Sequence, residues 1–307
     1  MAEVPQPFVS VIIPVFNDLK GLRRCLGALA QQTYPRSHFE VIVVDNGSAD
    51  RDDLKTLVTS YAGTLFAEEA IVGSYAARNK GLTLARGEII AFTDADCIPA
   101  PDWLERGVDQ LQRHPDCGMV VGKIDVFPEN LTNPNLVERY QMVIGFPQEQ
   151  HLNEHKGGAT ANVFTRRQVI DHVGPFMHTL KSFGDFEWGH RVYLAGYLQI
   201  YDPDVRVQHP ARPTWIALRQ KTERAAGGLY DYYVKSEPHG LKRNLVFSKL
   251  LLSDLIPPVN FAISVVRNPQ VTTLGECIGV LLLLQRLRYI SAWEKLRLRL
   301  GGISKRV

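Results

Sequence analysis

Three runs of aliphatic, largely β-branched residues constrain this chain most: Val9–Val15, Glu40–Asp45 and Glu88–Thr93. None of them alternates apolar with polar residues. Each therefore suits a strand covered on both faces, as in a parallel sheet. Helical patterns lie between and after them. Leu19, Leu22, Leu26 and Leu29 fall on one helical face. Residues 74 to 85 offer a second helix, and Pro101-Asp-Trp-Leu104 opens a third with proline in its first turn. The βαβα alternation predicts a doubly wound α/β domain. Each strand also ends in a polar cluster: Pro14-Val-Phe-Asn-Asp18, Asp45-Asn-Gly-Ser48 and Thr93-Asp-Ala-Asp-Cys97. Ligands of open α/β sheets bind at the carboxyl ends of the strands, so the three clusters outline one site.

Asp94-Ala-Asp96 is the most chemically pointed of these. Two carboxylates two residues apart, just past a buried strand, can hold a divalent cation against a diphosphate. Mg2+ and Mn2+ prefer oxygen ligands and often take only one or two protein carboxylates beside phosphates. The formal net charge of +3 is too small to indicate a nucleic-acid binder. Cys25, Cys97, Cys117 and Cys277 have neither metal-ligand spacing nor a dense disulfide pattern. Scattered reduced thiols of this kind suit a cytoplasmic protein. The N-terminus, MAEVPQPFVS, lacks the basic and apolar regions of a signal peptide. The longest strongly apolar run, Val280–Leu284, is far short of the roughly 20 residues that span a bilayer.

The motifs together resemble the inverting glycosyltransferases of family 2, which have the GT-A fold. The resemblance covers roughly residues 9–209 and rests on five segments: Ser10-Val-Ile-Ile-Pro-Val-Phe-Asn17, Val43-Val-Asp-Asn-Gly-Ser48, Ala77-Arg-Asn-Lys-Gly81, Gly87-Glu-Ile-Ile-Ala-Phe-Thr-Asp-Ala-Asp96 and Gly184-Asp-Phe-Glu-Trp188. It implies a Rossmann-like nucleotide-sugar domain over residues 1–212, with a donor part near 8–100 and an acceptor part near 118–212. A mainly helical extension over 213–307 follows.

The same resemblance implies roles. Pro14, Val15 and Asn17 line the nucleoside site; Asp45 accepts the base imide N–H, which suits uracil; Arg78 faces the base or diphosphate; Asp94 and Ala95 sit by the ribose and diphosphate. Asp96 is the principal ligand for Mn2+ or Mg2+, and His209 contacts metal or diphosphate. Family members carry an acidic pair, usually Glu-Asp, before a helix. Here the pair reads Gly184-Asp185, which leaves Asp185 as the base that takes the acceptor proton, with Glu187 in reserve. Asp185 is also a candidate N-cap for a helix over residues 186–195. Gly158 and Asn162, from Gly157-Gly-Ala-Thr-Ala-Asn162, and Glu187 and Trp188 are the acceptor-binding candidates. Small residues let backbone approach a sugar, and a tryptophan either stacks on a sugar ring or fills a core.

The expected activity is metal-dependent, non-processive transfer of one sugar, with inversion, from a UDP-sugar to a glycan or lipid-linked hydroxyl. The Gln-x-x-Arg-Trp motif of processive members is missing; the nearest stretch is Arg219-Gln-Lys-Thr-Glu-Arg224. A nucleotidyltransferase is the alternative, but such enzymes carry a glycine-rich basic loop after the first strand, where this chain reads Val15-Phe-Asn-Asp-Leu19. An inactive sugar-nucleotide-binding scaffold stays open because the Glu before Asp185 is missing. From Leu281 to Val307 seven Lys/Arg stand against one Glu, beside leucines, Tyr289 and Trp293. That composition predicts either peripheral contact with the inner face of the cell membrane or a homo-oligomer interface.

Overall fold

The computed structural model describes residues 6–305. The signal-peptide reading rests partly on residues 1–5, which lie outside that span, as does Arg306. The chain divides into two compact units. The first comprises residues up to 125, 146–179 and 184–209; the second comprises 126–145, 180–183 and the chain from 210 onward. The last crossing falls at 209/210, and two earlier segments join the C-terminal helices.

The first unit is built on an eight-stranded mixed sheet. Its opening alternation is β1 (Val9–Val15), α1 (Leu19–Leu29), β2 (Phe39–Asp45), α2 (Arg51–Thr59), β3 (Thr64–Glu68), α3 (Ser74–Leu84) and β4 (Ile89–Thr93). β1, β2 and β4 are buried almost throughout, as their unbroken aliphatic sequences require. Asp18 caps α1, accepting from the Gly21 amide at 2.8 Å. The helix then buries Leu22, Cys25, Leu26 and Leu29 against the sheet. Each fully buried leucine contributes on the order of 1.5–3 kcal/mol relative to exposure.

The remaining elements of this unit are β5 (Ile98–Pro99), α4 (Trp103–Arg113), β6 (Cys117–Phe127), α6 (Gln148–His155), β7 (Asn162–Arg166), α7 (Arg167–Val173), α8 (Gly184–Leu194) and β8 (Leu198–Pro210); α5 (Leu136–Ile144) belongs to the second unit. The strand order is β3-β2-β1-β4-β7-β6-β8-β5. β3, β2, β1 and β4 run parallel, and β7 reverses direction against β4. The register pairs Val15 with Asp45, so the first two polar clusters leave the sheet side by side.

The second unit is helical: α5, α9 (Trp215–Tyr230) continued by a π-helical turn over Asp231–Lys235, α10 (Gly240–Leu255), α11 (Val259–Val266) and α12 (Leu274–Arg299). Pro257 and Pro258 separate α10 from α11, as rings without an N–H must. Thr273 and Glu276 form a capping box at the start of α12. Val280, Leu283 and Leu287 of α12 then pack with Tyr140, Leu218 and Val265.

Candidate active site

The loops after β1 and β2 are stitched together by side chains the sequence had assigned to the nucleotide. Asn17 adopts a left-handed backbone, φ 51°. Its amide donates to Ser48 Oγ at 2.8 Å, and its Oδ1 accepts from the Ala49 amide at 2.9 Å. Asp45 is buried and accepts from the Ser48 amide at 3.1 Å and the Gly47 amide at 3.3 Å. Asn46 extends the seam: its Nδ2 donates to the carbonyls of Glu69 and Ile71, and its Oδ1 accepts from the Gly73 amide at 2.7 Å, just before α3. Val15 departs from its expected part. Its side chain lies in the core and its carbonyl accepts from the Asn46 amide at 2.9 Å. Ala95 likewise turns its methyl into the core. Both shape the site through backbone alone, while Pro14 is half-buried at the end of β1.

Arg78 is no surface cation. Only 3 % of it is exposed, and Nη2 lies 2.5 Å from Asp94 Oδ1. Its guanidinium also lies 5.8 Å from the centre of the Tyr75 ring, one helical turn earlier on α3. The Tyr75 hydroxyl donates in turn to Asp185 Oδ1 at 3.1 Å. Asp94, Arg78, Tyr75 and Asp185 thus form one polar chain from the end of β4 to the start of α8. Burial pushes the Asp185 carboxyl above the usual aspartate range, while the Arg78 charge and the Tyr75 hydrogen bond pull it back. Asp185 is not the N-cap: α8 begins at Gly184, and Asp185 Oδ1 accepts from the next amide, Phe186, at 3.1 Å.

A second cluster gathers at Asp96. The β5–β8 register pairs Ile98 with Gln208, so one step earlier Cys97 comes opposite His209. His209 Nε2 lies 3.5 Å from Asp96 Oδ2. One donor atom each from Asp96, Cys97 and His209 lie within 4.8 Å of one another. A carboxylate and an imidazole suit Mn2+, whereas a thiol does not match a hard cation. Burial also pushes the Cys97 thiol well up. Asp96 and His209 are therefore the pair whose chemistry suits a hard cation, and both are positions the family resemblance points to.

Four acceptor-site expectations need correction. Trp188 is fully buried, with its indole N–H donating to the Gly174 carbonyl at 3.1 Å and its ring 5.3 Å from that of Phe176. It is a core residue and presents no face to a sugar. Glu187 is held by Arg191 at 2.7 and 3.0 Å, and the same guanidinium binds the carbonyls of Val173, Gly174 and Pro175. That pairing braces the loop before Phe176 and leaves Glu187 poorly suited as a base. Asn162 is fully buried; it accepts from the Trp103 indole and donates to the carbonyls of Lys123 and Val205, each at 2.8 Å. Gly158 is small for packing, since a Cβ there would lie 2.6 Å from Val121.

Tyr75 escaped the sequence reading. It lies in a helix without a pronounced apolar face, and its partner is 110 residues away. The glycine before Asp185 gave a hint. A Cβ on Gly184 would come within 2.7 Å of the Tyr75 ring, so a glycine is what lets the ring reach Asp185.

Carboxylates at the ends of parallel strands, with the Arg78 guanidinium and the His209 imidazole beside them, are an arrangement that suits a phosphorylated ligand. The comparisons narrow the class. Residues 10–177 match the model of glycosyl transferase family 2. Glycosyltransferase AglE of Haloferax volcanii is 40% identical over 213 residues, 67% of this chain and 68% of that relative. The pre-mycofactocin glycosyltransferase of Mycobacterium tuberculosis is 30% identical over 224 residues, and the β-monoglucosyldiacylglycerol synthase of Trichormus variabilis 28% over 244. This chain spans 44% and 50% of their lengths, respectively. Among solved structures, the mannosyltransferase PcManGT of Pyrobaculum calidifontis, in complex with GDP-Man and Mn2+, superposes with a TM-score of 0.63 at 21% identity, over 95% of this chain and 88% of that one. The chain belongs to glycosyl transferase family 2: it is a glycosyltransferase with the GT-A fold.

Proposed function

We propose that this enzyme moves one sugar, with inversion, from a nucleoside-diphosphate sugar to a hydroxyl acceptor, and that Asp185 is the base. The polar chain Asp94–Arg78–Tyr75–Asp185 carries the reading, because it ties the diphosphate end of the site to the base. Asp185 takes the acceptor proton as the oxygen attacks the anomeric carbon. Tyr75 orients that carboxylate, and Arg78 faces the departing diphosphate from a buried, pre-set position. Asp96 and His209 would hold Mn2+ or Mg2+; such an ion, when bound, supplies positive charge to the leaving diphosphate. Mn2+ in the superposed mannosyltransferase supports the use of a divalent cation.

The donor we propose is UDP-linked. Asp45 offers an acceptor for an imide N–H, which uracil provides. Guanine also carries a ring N–H, and GDP-Man in the superposed structure makes GDP the competitor to measure against. A lipid-linked acceptor is the preferred class, and a relative named as a glucosyldiacylglycerol synthase supports it.

Asp185→Asn is nearly isosteric and cannot accept the proton. It is expected to lower kcat by roughly a hundredfold or more with donor affinity kept. The measurement is turnover on a donor panel with the product's anomeric configuration read by NMR. Full activity in Asp185→Asn, or a retained configuration, overturns the mechanism.

A further inference from the structure

We infer that the C-terminal helical unit is a docking surface for an anionic lipid bilayer, and that the outward face of α12 makes the contact. This goes beyond the transfer reaction and does not depend on which donor is used. The observation is a stripe. Leu274, Ile278, Leu282, Tyr289, Trp293 and Leu296 are all exposed, Leu282 by 66 % and Trp293 by 67 %. At about 100° per residue these six positions fall within one 100° sector of the helix. Val280, Leu283, Leu287 and Leu298 occupy the opposite sector and are buried. The helix has spent its inward face on its own core and carries a second apolar face outward. At about 1.5 Å per residue, the stripe from Leu274 to Leu296 runs roughly 33 Å. Scattered surface leucines are ordinary, but an apolar band of this length, interrupted only by the half-buried Gln285, marks an interaction surface. α10 does the same on a smaller scale: Leu241, Leu245 and Leu252 share an exposed sector, while Val246, Phe247 and Leu250 pack inward.

Charge names the occupant. On α12, Arg286 and Arg297 border the stripe on one side, and Arg288 and Arg299 on the other. Over residues 240–305 ten Lys/Arg stand against three Asp/Glu. Each of the three acids is already ion-paired: Asp254 with Lys295, Glu276 with Arg139 and Glu294 with Arg297. Arg286 stacks on Trp215, Arg288 donates to the carbonyls of Ser253 and Ile256, and Arg299 donates to Asn244. These neutral partners fix the guanidiniums beside the stripe without cancelling their charge. A second copy of the chain would set one cationic rim against another, which costs binding. A bilayer with anionic headgroups offers hydrocarbon to the leucines, an interface to Tyr289 and Trp293, and phosphates to the arginines. No helix among the described residues is long and apolar enough to cross a membrane, so the contact lies along the surface.

The test is co-flotation of the full chain with vesicles of phosphatidylcholine, alone or mixed with phosphatidylglycerol, at low and high salt. The wild-type chain is expected to float with the mixed vesicles at low salt and to release as salt rises. Leu282→Ser/Trp293→Ser alters only exposed positions, and unchanged thermal melting verifies that it folds. Its vesicle affinity is expected to fall by about tenfold or more. Arg286→Gln is expected to weaken binding to mixed vesicles without changing the weak binding to neutral ones. Failure of the wild-type chain to float, or flotation equal in the Leu282→Ser/Trp293→Ser variant, overturns the inference. So does a wild-type dimer in sedimentation that those two substitutions dissociate, since that would give the face to a second copy.

Discussion

At the scale of single residues, the site depends on how a half-buried carboxylate is kept usable. Asp185 sits where burial favours its neutral form, and the base it is proposed to be must be ionised to act. Tyr75 corrects this by donating to the carboxylate. Tyr75→Phe removes that hydrogen bond and leaves the desolvation, so the carboxyl should titrate still higher. Activity requires the ionised form and is lost as pH falls through that value. The acid limb of kcat against pH is therefore expected to move to higher pH in Tyr75→Phe, with little change at the alkaline end. An unmoved limb would show that Tyr75 only packs. Asp94 and Asp96 stand out in the sequence by their place just past a buried strand, whereas Asp185 and His209 are pointed to by the family resemblance alone. Trp188, Glu187 and Asn162 were misread for a common reason. A side chain's type and its distance along the chain from a base do not say which way it points. All three lie close to candidate site residues yet turn to carbonyls or to the half-buried Arg191 guanidinium.

At the scale of elements, α3 and α8 meet through a missing side chain. Gly184 opens α8 beneath the Tyr75 ring. Gly184→Ala would place a Cβ against that ring, which must then move away from Asp185. Misplacement of this size at a catalytic group can cost about tenfold to a hundredfold in rate. The expected outcome is a lower kcat with nucleotide affinity unchanged, measured by turnover and calorimetry side by side. Equal kcat would mean the ring relaxes without leaving the carboxylate. β1, β2, β4 and α1 were readable because their apolar patterns are unambiguous, whereas β5 to β8 lie in a stretch with no clear period. β3 was not: it is five residues long, sits at the sheet edge and is half-exposed, so Thr64–Glu68 shows neither an unbroken apolar run nor a clean alternation. The proposed third helix also begins two residues later than its proline suggested, at Trp103, with Pro101 in the preceding turn.

At the scale of the whole molecule, an α/β sheet unit and a basic helical unit are written in one chain. The α/β half was legible because a parallel sheet must bury its strands on both faces, which leaves an unbroken hydrophobic imprint. The division into units was only partly legible. Residues 126–145 and 180–183 join the C-terminal helices through contacts distant in sequence, such as Tyr140 with Leu287 in one apolar cluster, and no local pattern announces them. The central claim is that the strand ends of the sheet bind a nucleoside diphosphate through a cation held at Asp96. Calorimetric titration of UDP, with and without Mn2+, into the wild-type chain and Asp96→Ala tests it most directly. The account predicts Mn2+-dependent UDP binding, weakened by about tenfold or more in Asp96→Ala, the scale seen when metal-site partners are removed. UDP binding that is indifferent to both Mn2+ and the Asp96→Ala substitution would contradict it.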